Sequence, residues 1–213
     1  MIQSTAMTHP GTDTKKLLSL GIAAGPIYIL VSLAQALMRD GFDLTRHQWS
    51  LLANGDLGWI QISNFVVTGV MTIAFAVGLQ RTGIAKRASR LIGVFGLSLV
   101  GAGIFRADPA FGFPAGTPEG APTEISAQGI LHFTGIGFLC LVAACFVVAR
   151  RFAAEGNKKW ATYSRASGIL FLVGFAAVAS GSTGALLNLA FTAAVVIAWG
   201  WVSALARHQQ RTV

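Results

Sequence analysis

Residues Ala166–Ala206, ASGILFLVGFAAVASGSTGALLNLAFTAAVVIAWGWVSALA, run for 41 positions without a charge. At roughly 1.5 Å per residue a single helix of that length would reach about 61 Å, about twice the hydrocarbon thickness of a bilayer. Near the middle lies Ser180-Gly181-Ser182-Thr183-Gly184, a cluster of turn-forming residues. The stretch therefore reads as two membrane spans joined by a hairpin, over residues 166–183 and 187–206. Working outward, Leu17–Met38 and Trp59–Leu79 are uncharged. Leu91–Phe105 is uncharged too, and gains length from residue 89. Ile130–Ala149 holds one titratable group, His132. Six spans are expected: 17–38, 59–79, 89–105, 130–149, 166–183 and 187–206. The apolar runs are continuous rather than alternating. Backbone polar groups in hydrocarbon must be satisfied within the chain, so these runs are helices and not strands of a barrel.

Composition agrees. The chain is 54% hydrophobic and 11% charged, with a mean hydropathy of +0.63. A soluble domain carries about 25% charged residues. Soluble, disordered, collagenous and disulfide-scaffold classes are excluded. The fold class is an all-α membrane protein, six transmembrane helices in one bundle over residues 15–206. Residues 1–14 are polar and expected to be a disordered cytoplasmic N-terminus. Residues 207–213 are expected to be a cytoplasmic tail. Lys15-Lys16, the apolar run and Ala34-Gln35-Ala36 have the outline of a signal peptide. The run exceeds the usual apolar region of one, so an uncleaved first helix is expected.

The cations fix the expected orientation. Lys15, Lys16, Arg81, Lys86, Arg87, Arg90, Arg150, Arg151, Lys158, Lys159, Arg165, Arg207 and Arg211 fall on the side of the termini. Only Arg39, Arg46 and Arg106 fall on the other. Lys and Arg accumulate in cytoplasmic loops, so both termini are expected in the cytoplasm, with the chain a multi-pass protein of the inner (plasma) membrane. The +8 net charge then reports topology. No nucleic-acid partner is expected, because the cations are dispersed over four segments. Trp49, Trp59, Trp160, Tyr163, Trp199 and Trp201 fall near span ends and are expected to form interfacial belts. Gly21-x-x-x-Gly25 and the run Gly93, Gly96, Gly101, Gly103 thin two helix faces. Such faces suit packing within the bundle, or a homo-oligomer. Cys140 and Cys145 are five apart on one helix, too far for a disulfide, and read as small apolar fillers.

Polar residues converge on one side. The connector from Arg39 to Asn64 alternates aromatic and ionisable groups. In it Arg46–Ala53 is expected to form a short interfacial helix placing Arg46, His47 and Ser50 on one face. Gln61, Asn64, Thr68 and Thr72 recur at helical spacing, so the stripe should face other helices. Arg106 and Asp108 end the third span before Pro109. His132 enters the fourth span from the same side, and Asn188 and Thr192 the sixth. The Gly- and Pro-rich segment Phe111–Pro122 is expected to be a non-helical loop and a candidate lid.

The pieces Gly41-Phe42-Asp43 with His47, Gly58-Trp59-Ile60-Gln61 with Asn64-Phe65, Gly103-Ile104-Phe105-Arg106-Ala107-Asp108-Pro109 and Leu131-His132 resemble an uncharacterised prokaryotic membrane family, domain of unknown function 998. The resemblance extends over nearly all of residues 15–206. It implies six helices and a membrane location, and it implies no activity.

The functional expectation is an outward-facing polar cavity that binds a small amphipathic or lipid-like ligand. Arg46, His47, Ser50, Gln61, Asn64, Arg106, Asp108 and His132 would line it. The partners are membrane lipid and that ligand. The alternative is an outer-leaflet hydrolase or transferase. His47 or His132 would be its base, Ser50 its nucleophile, and Asp56 or Asp108 the orienting acid. Neither a metal nor another cofactor is expected, since only two histidines, His47 and His132, lie on that side. A structural subunit of a larger membrane complex is a third possibility.

Overall fold

Glycine pairs, rather than leucine seams, set how close these helices come. On α2 (Gly58–Arg81) and α3 (Lys86–Ile104), a Cβ at Gly96 would stand 2.9 Å from the Gly69 carbonyl oxygen. A Cβ at Gly69 would stand 2.8 Å from that of Gly96. On α1 (Pro10–Met38), Gly25 faces Ser203 and the Trp199 carbonyl of α7 (Ala185–Gln210), and Gly21 faces Phe75 of α2. The close approaches that these small residues permit are thus made inside one chain. Between bilayer-embedded helices, where lipid is as apolar as leucine, such contacts supply packing that hydrophobicity cannot.

The structure is a computed structural model that describes residues 10–83, 86–132, 135–181 and 184–213. Besides α1, α2, α3 and α7 it contains the short α4 (Ala127–His132), α5 (Ile136–Ala154) and α6 (Lys158–Ala179). A 3₁₀ turn, η1 (Trp49–Ala53), lies between α1 and α2. Among the described residues six helical segments are long and apolar enough to cross a membrane, α4 and α5 together forming the fourth. They pack as a closed ring in the order α1, α2, α3, α5, α6, α7, and α7 returns to α1. Gln210 donates to the Lys15 carbonyl (3.1 Å) and to Ser19 Oγ (2.6 Å), joining the two terminal helices.

The helices overrun the apolar stretches. α6 starts at Lys158, eight residues before the uncharged run, because Asn157 caps it by accepting from the Trp160 N–H (3.3 Å). Lys and Arg are good helix formers, so basic flanks continue the coil into water. α1 likewise begins at Pro10, so residues 10–14 are helical rather than disordered. Residues 1–9 lie outside the described residues, as do Ser182 and Thr183 of the expected hairpin. On either side of them, α6 ends at Ala179 and α7 begins at Ala185.

The ring interior is filled by aromatic side chains. Trp49 meets Tyr28 (centroids 6.0 Å), Tyr28 meets Trp199 (4.9 Å), and Trp199 meets Phe95 (5.5 Å). Phe95 then meets Phe138 (6.5 Å), which meets Phe171 (5.1 Å). This corrects the belt expectation for Trp49, Trp199 and Trp201, which are buried in the bundle. Tryptophans near a helix end face inward where a neighbouring helix covers that face. Trp59 and Tyr163 remain exposed. Outside the ring, Leu30, Leu97, Leu139 and Val173 are exposed, as a bilayer-facing surface requires.

Candidate functional site

At the end of the bundle opposite the termini, segments 39–57 and 105–126 form a cap sewn to the helices through main-chain carbonyls. Gly41, at φ 78°, turns the chain away from α1. Asp43 accepts from both the N–H (2.8 Å) and hydroxyl (2.7 Å) of Thr45, an Asx turn that sets the next residues. These bonds hold the Asp43 carboxyl below the usual carboxylate range. Arg39 reaches back, donating to the carbonyls of Leu52 (2.6 Å) and Asn54 (2.7 Å), with its guanidinium 4.9 Å from the Phe113 ring centroid. Partial burial lowers its pKa from the ordinary arginine value, and the Asp56 charge opposes that. Asn54 donates to the Ala107 carbonyl (3.0 Å), tying the first connector to the second. Phe113, Ala107, Ala110 and Leu51 form a small apolar core under the cap.

His47 is the pin of this cap. Its Nδ1 accepts from the Asp43 N–H (2.9 Å), so in the neutral ring Nε2 carries the proton and donates to the Phe111 carbonyl (2.9 Å). The ring is buried between Phe42 (5.2 Å) and Phe113 (5.5 Å). With both nitrogens committed, His47 is not placed to deprotonate Ser50. Ser50 itself is half-buried on η1. The short helix expected over Arg46–Ala53 narrows to η1, because the Asx turn holds residues 43–47 in turn conformation.

Of the remaining expected site residues, His132 and Asp108 each bond main chain at this end of the bundle. His132 donates from Nδ1 to the Phe105 carbonyl (2.9 Å) and packs on Phe65 (6.4 Å). Asp108 accepts from the Ser126 N–H (2.9 Å). Arg106 and Asp56 are exposed. His47 and His132 each bond a main-chain carbonyl, that of Phe111 and that of Phe105, and the Arg106 side chain is exposed. Among the described residues no three His, Cys, Asp or Glu side chains come together in metal-binding geometry.

Gln61 and Asn64 form a second, deeper group between α1 and α2. Gln61 Oε1 accepts from Gln35 Nε2 (2.8 Å) and Ser32 Oγ (3.3 Å). Asn64 Nδ2 donates to the Tyr28 carbonyl (3.2 Å) and Ser32 Oγ (3.1 Å). Thr68 and Thr72 donate to carbonyls one turn back (2.6 and 2.7 Å). The stripe faces a neighbouring helix, as its spacing predicts. It joins helices and lies away from the cap.

One depression at the capped end has the size of a ligand site. A cleft of about 430 Å³ opens between residues 45–48, the loop 111–121 and the adjoining ends of α6 and α7. Thr45, Arg46, Gln48, Glu119 and Asn188 supply its polar lining, and Phe111, Ala121, Val178 and Ala185 its apolar lining. Arg46 and Glu119 form an ion pair there, which raises the Arg46 pKa and lowers that of Glu119. Asn188, 5% exposed, donates from Nδ2 to the carbonyls of Leu44 (2.8 Å) and His47 (3.0 Å). Its Oδ1 is buried with no hydrogen-bond partner among the described residues. Of the residues expected to bind a ligand, Arg46 alone lines this cleft. Asn188 is legible only as a polar residue at the end of the sixth span. Glu119 has a single signal, as the one charge in the Phe111–Pro122 loop.

A family model described as a protein of unknown function, DUF998, matches residues 22–208. The chain belongs to this family. The match takes in the cap, the amide stripe and Asn188, so each lies within the part shared with the DUF998 family. No curated protein and no solved structure matches the chain.

Proposed function

We propose that this multi-pass membrane protein binds the polar head of a small amphipathic, lipid-like molecule in the cleft beside Asn188. One observation carries the reading: among the described residues Asn188 Oδ1 is a buried acceptor without a donor, in a cleft that also holds both signs of charge. A buried polar atom left unpaired costs about 1–3 kcal/mol, so a ligand N–H or O–H placed there is favoured. The capped end faces away from the cytoplasm, following the concentration of Lys and Arg at the other end. The site is therefore open to the outer leaflet and the space beyond it. His47 serves it indirectly by fixing the loop whose carbonyls hold Asn188.

The test is mass spectrometry of amphiphiles retained by the detergent-purified full chain, against Ala185→Trp. Ala185 is exposed and lines the cleft, so the indole fills it without entering the core. Wild type is expected to retain an amphiphile that Ala185→Trp loses at unchanged melting temperature. Equal retention by the two proteins refutes the site. Labelling of Glu119→Cys by a membrane-impermeant maleimide on intact cells tests the orientation, and protection from label there would reverse it.

A further inference from the structure

The cleft presents one cation, one anion and one donor-seeking oxygen, and these restrict what fits. Arg46 and Glu119 are both at the surface and pair with each other. A purely anionic head group would take Arg46 and leave the Glu119 carboxylate unpaired beside a like charge. A purely cationic one would do the reverse to Arg46. A head group carrying both charges gives each side chain an opposite partner and leaves the charge balance of the site unchanged. Asn188 Oδ1 adds a second restriction, since it accepts only from an N–H or O–H. A trimethylated ammonium offers neither.

The apolar side of the cleft selects between sources. Val178 and Ala185 form an apolar wall at the adjoining ends of α6 and α7, and Leu186 beside Ala185 is exposed. Both helices are long and apolar enough to cross a membrane, so a molecule seated by its head at their ends has apolar helix surface within reach of its chains.

Resting on the cleft reading above, we infer that the ligand is an aminophospholipid, a zwitterion with a primary ammonium and a phosphate a few bonds apart. The phosphate pairs with Arg46. The ammonium bridges Glu119 and Asn188 Oδ1. The acyl chains run along α6 and α7.

The experiment is native mass spectrometry of the full chain equilibrated with equal amounts of phosphatidylethanolamine, phosphatidylcholine and phosphatidylglycerol bearing the same acyl chains. The ethanolamine lipid is expected to be retained about tenfold over each of the others, the scale of one buried hydrogen bond to a charged donor. Glu119→Gln, at a fully exposed position, should keep the fold and abolish the preference over phosphatidylglycerol. Retention without head-group preference, in a protein where Ala185→Trp still removes the lipid, overturns this inference and leaves the cleft reading standing. Retention unaffected by Ala185→Trp overturns both. Displacement of the lipid by an equal concentration of soluble phosphoethanolamine overturns the assignment to a lipid.

Discussion

Replacing Arg39 by Gln should detach the cap from the bundle. In the folded protein its guanidinium makes two charge-assisted bonds, to Leu52 O and Asn54 O, and lies over Phe113. Hydrogen bonds to charged groups contribute about 1.5–3 kcal/mol each, and the half-buried position argues for the lower end. An exposed cation–π contact adds about 0.5 kcal/mol. The loss is therefore about 3.5 kcal/mol. For a chain near this length, about 2–4 °C per kcal/mol converts that to a fall of about 7–14 °C in melting temperature. The assay is thermal unfolding of purified protein in a mild detergent, with Arg39→Lys beside it. Lysine keeps the charge but can reach the carbonyls only as a point donor, so it should recover about half of the loss. Were Arg39 merely a charge at the membrane boundary, Lys would match wild type. Arg39→Gln melting within about 2 °C of wild type would refute the clamp.

His47→Phe keeps the stacking on Phe42 and Phe113 but leaves the Asp43 N–H and Phe111 O without partners. It should cost about 2–4 kcal/mol, read as a melting shift, and a shift near zero would show that the ring only packs. Gly96→Leu should prevent α2 and α3 from closing at Gly69 and so abolish monodisperse elution from size exclusion, whereas Gly101→Leu, at an open position, should elute as wild type. Gln61→Leu removes the acceptor shared by Gln35 and Ser32; at about 0.6 kcal/mol per interhelical bond the loss is about 1–2 kcal/mol, seen in the same melting assay. Asp43 and Glu119 have lowered folded-state pKa values, so their stabilisation is present above the ordinary carboxylate range and is lost as pH falls through the lowered values. The melting temperature should therefore be flat above about pH 5 and decline below about pH 4, and Asp43→Asn with Glu119→Gln should flatten the decline.

The membrane fold was legible because bilayer thickness imposes a length on apolar runs, and that length survives in the sequence wherever charge is absent. The amide stripe was legible for a related reason: Gln61, Asn64, Thr68 and Thr72 lie on a regular helix, and periodicity maps position to face. The cap had no such ruler. Arg39 reads as one more boundary cation, yet it holds two carbonyls that neighbour it only after the chain has turned at Gly41. His47 reads as a base, because nothing in the order of residues tells that an N–H and a carbonyl 64 positions away will take both its nitrogens. Asn188 and Leu44 are 144 residues apart. Their meeting depends on the ring closing, which is a property of all six helices together.

The aromatic chain through the ring gives this molecule an optical signature of its own. Tyr28 has an indole on either side, Trp49 at 6.0 Å and Trp199 at 4.9 Å, so light absorbed by the phenol is emitted by tryptophan. Trp49 rides on the cap and Trp199 on the last helix. Lifting the cap would draw Trp49, one of five tryptophans, into water and shift its emission to the red, leaving Trp199 in place. The emission of unlabelled protein can thus report, as a change against the other four tryptophans, whether the cap is seated.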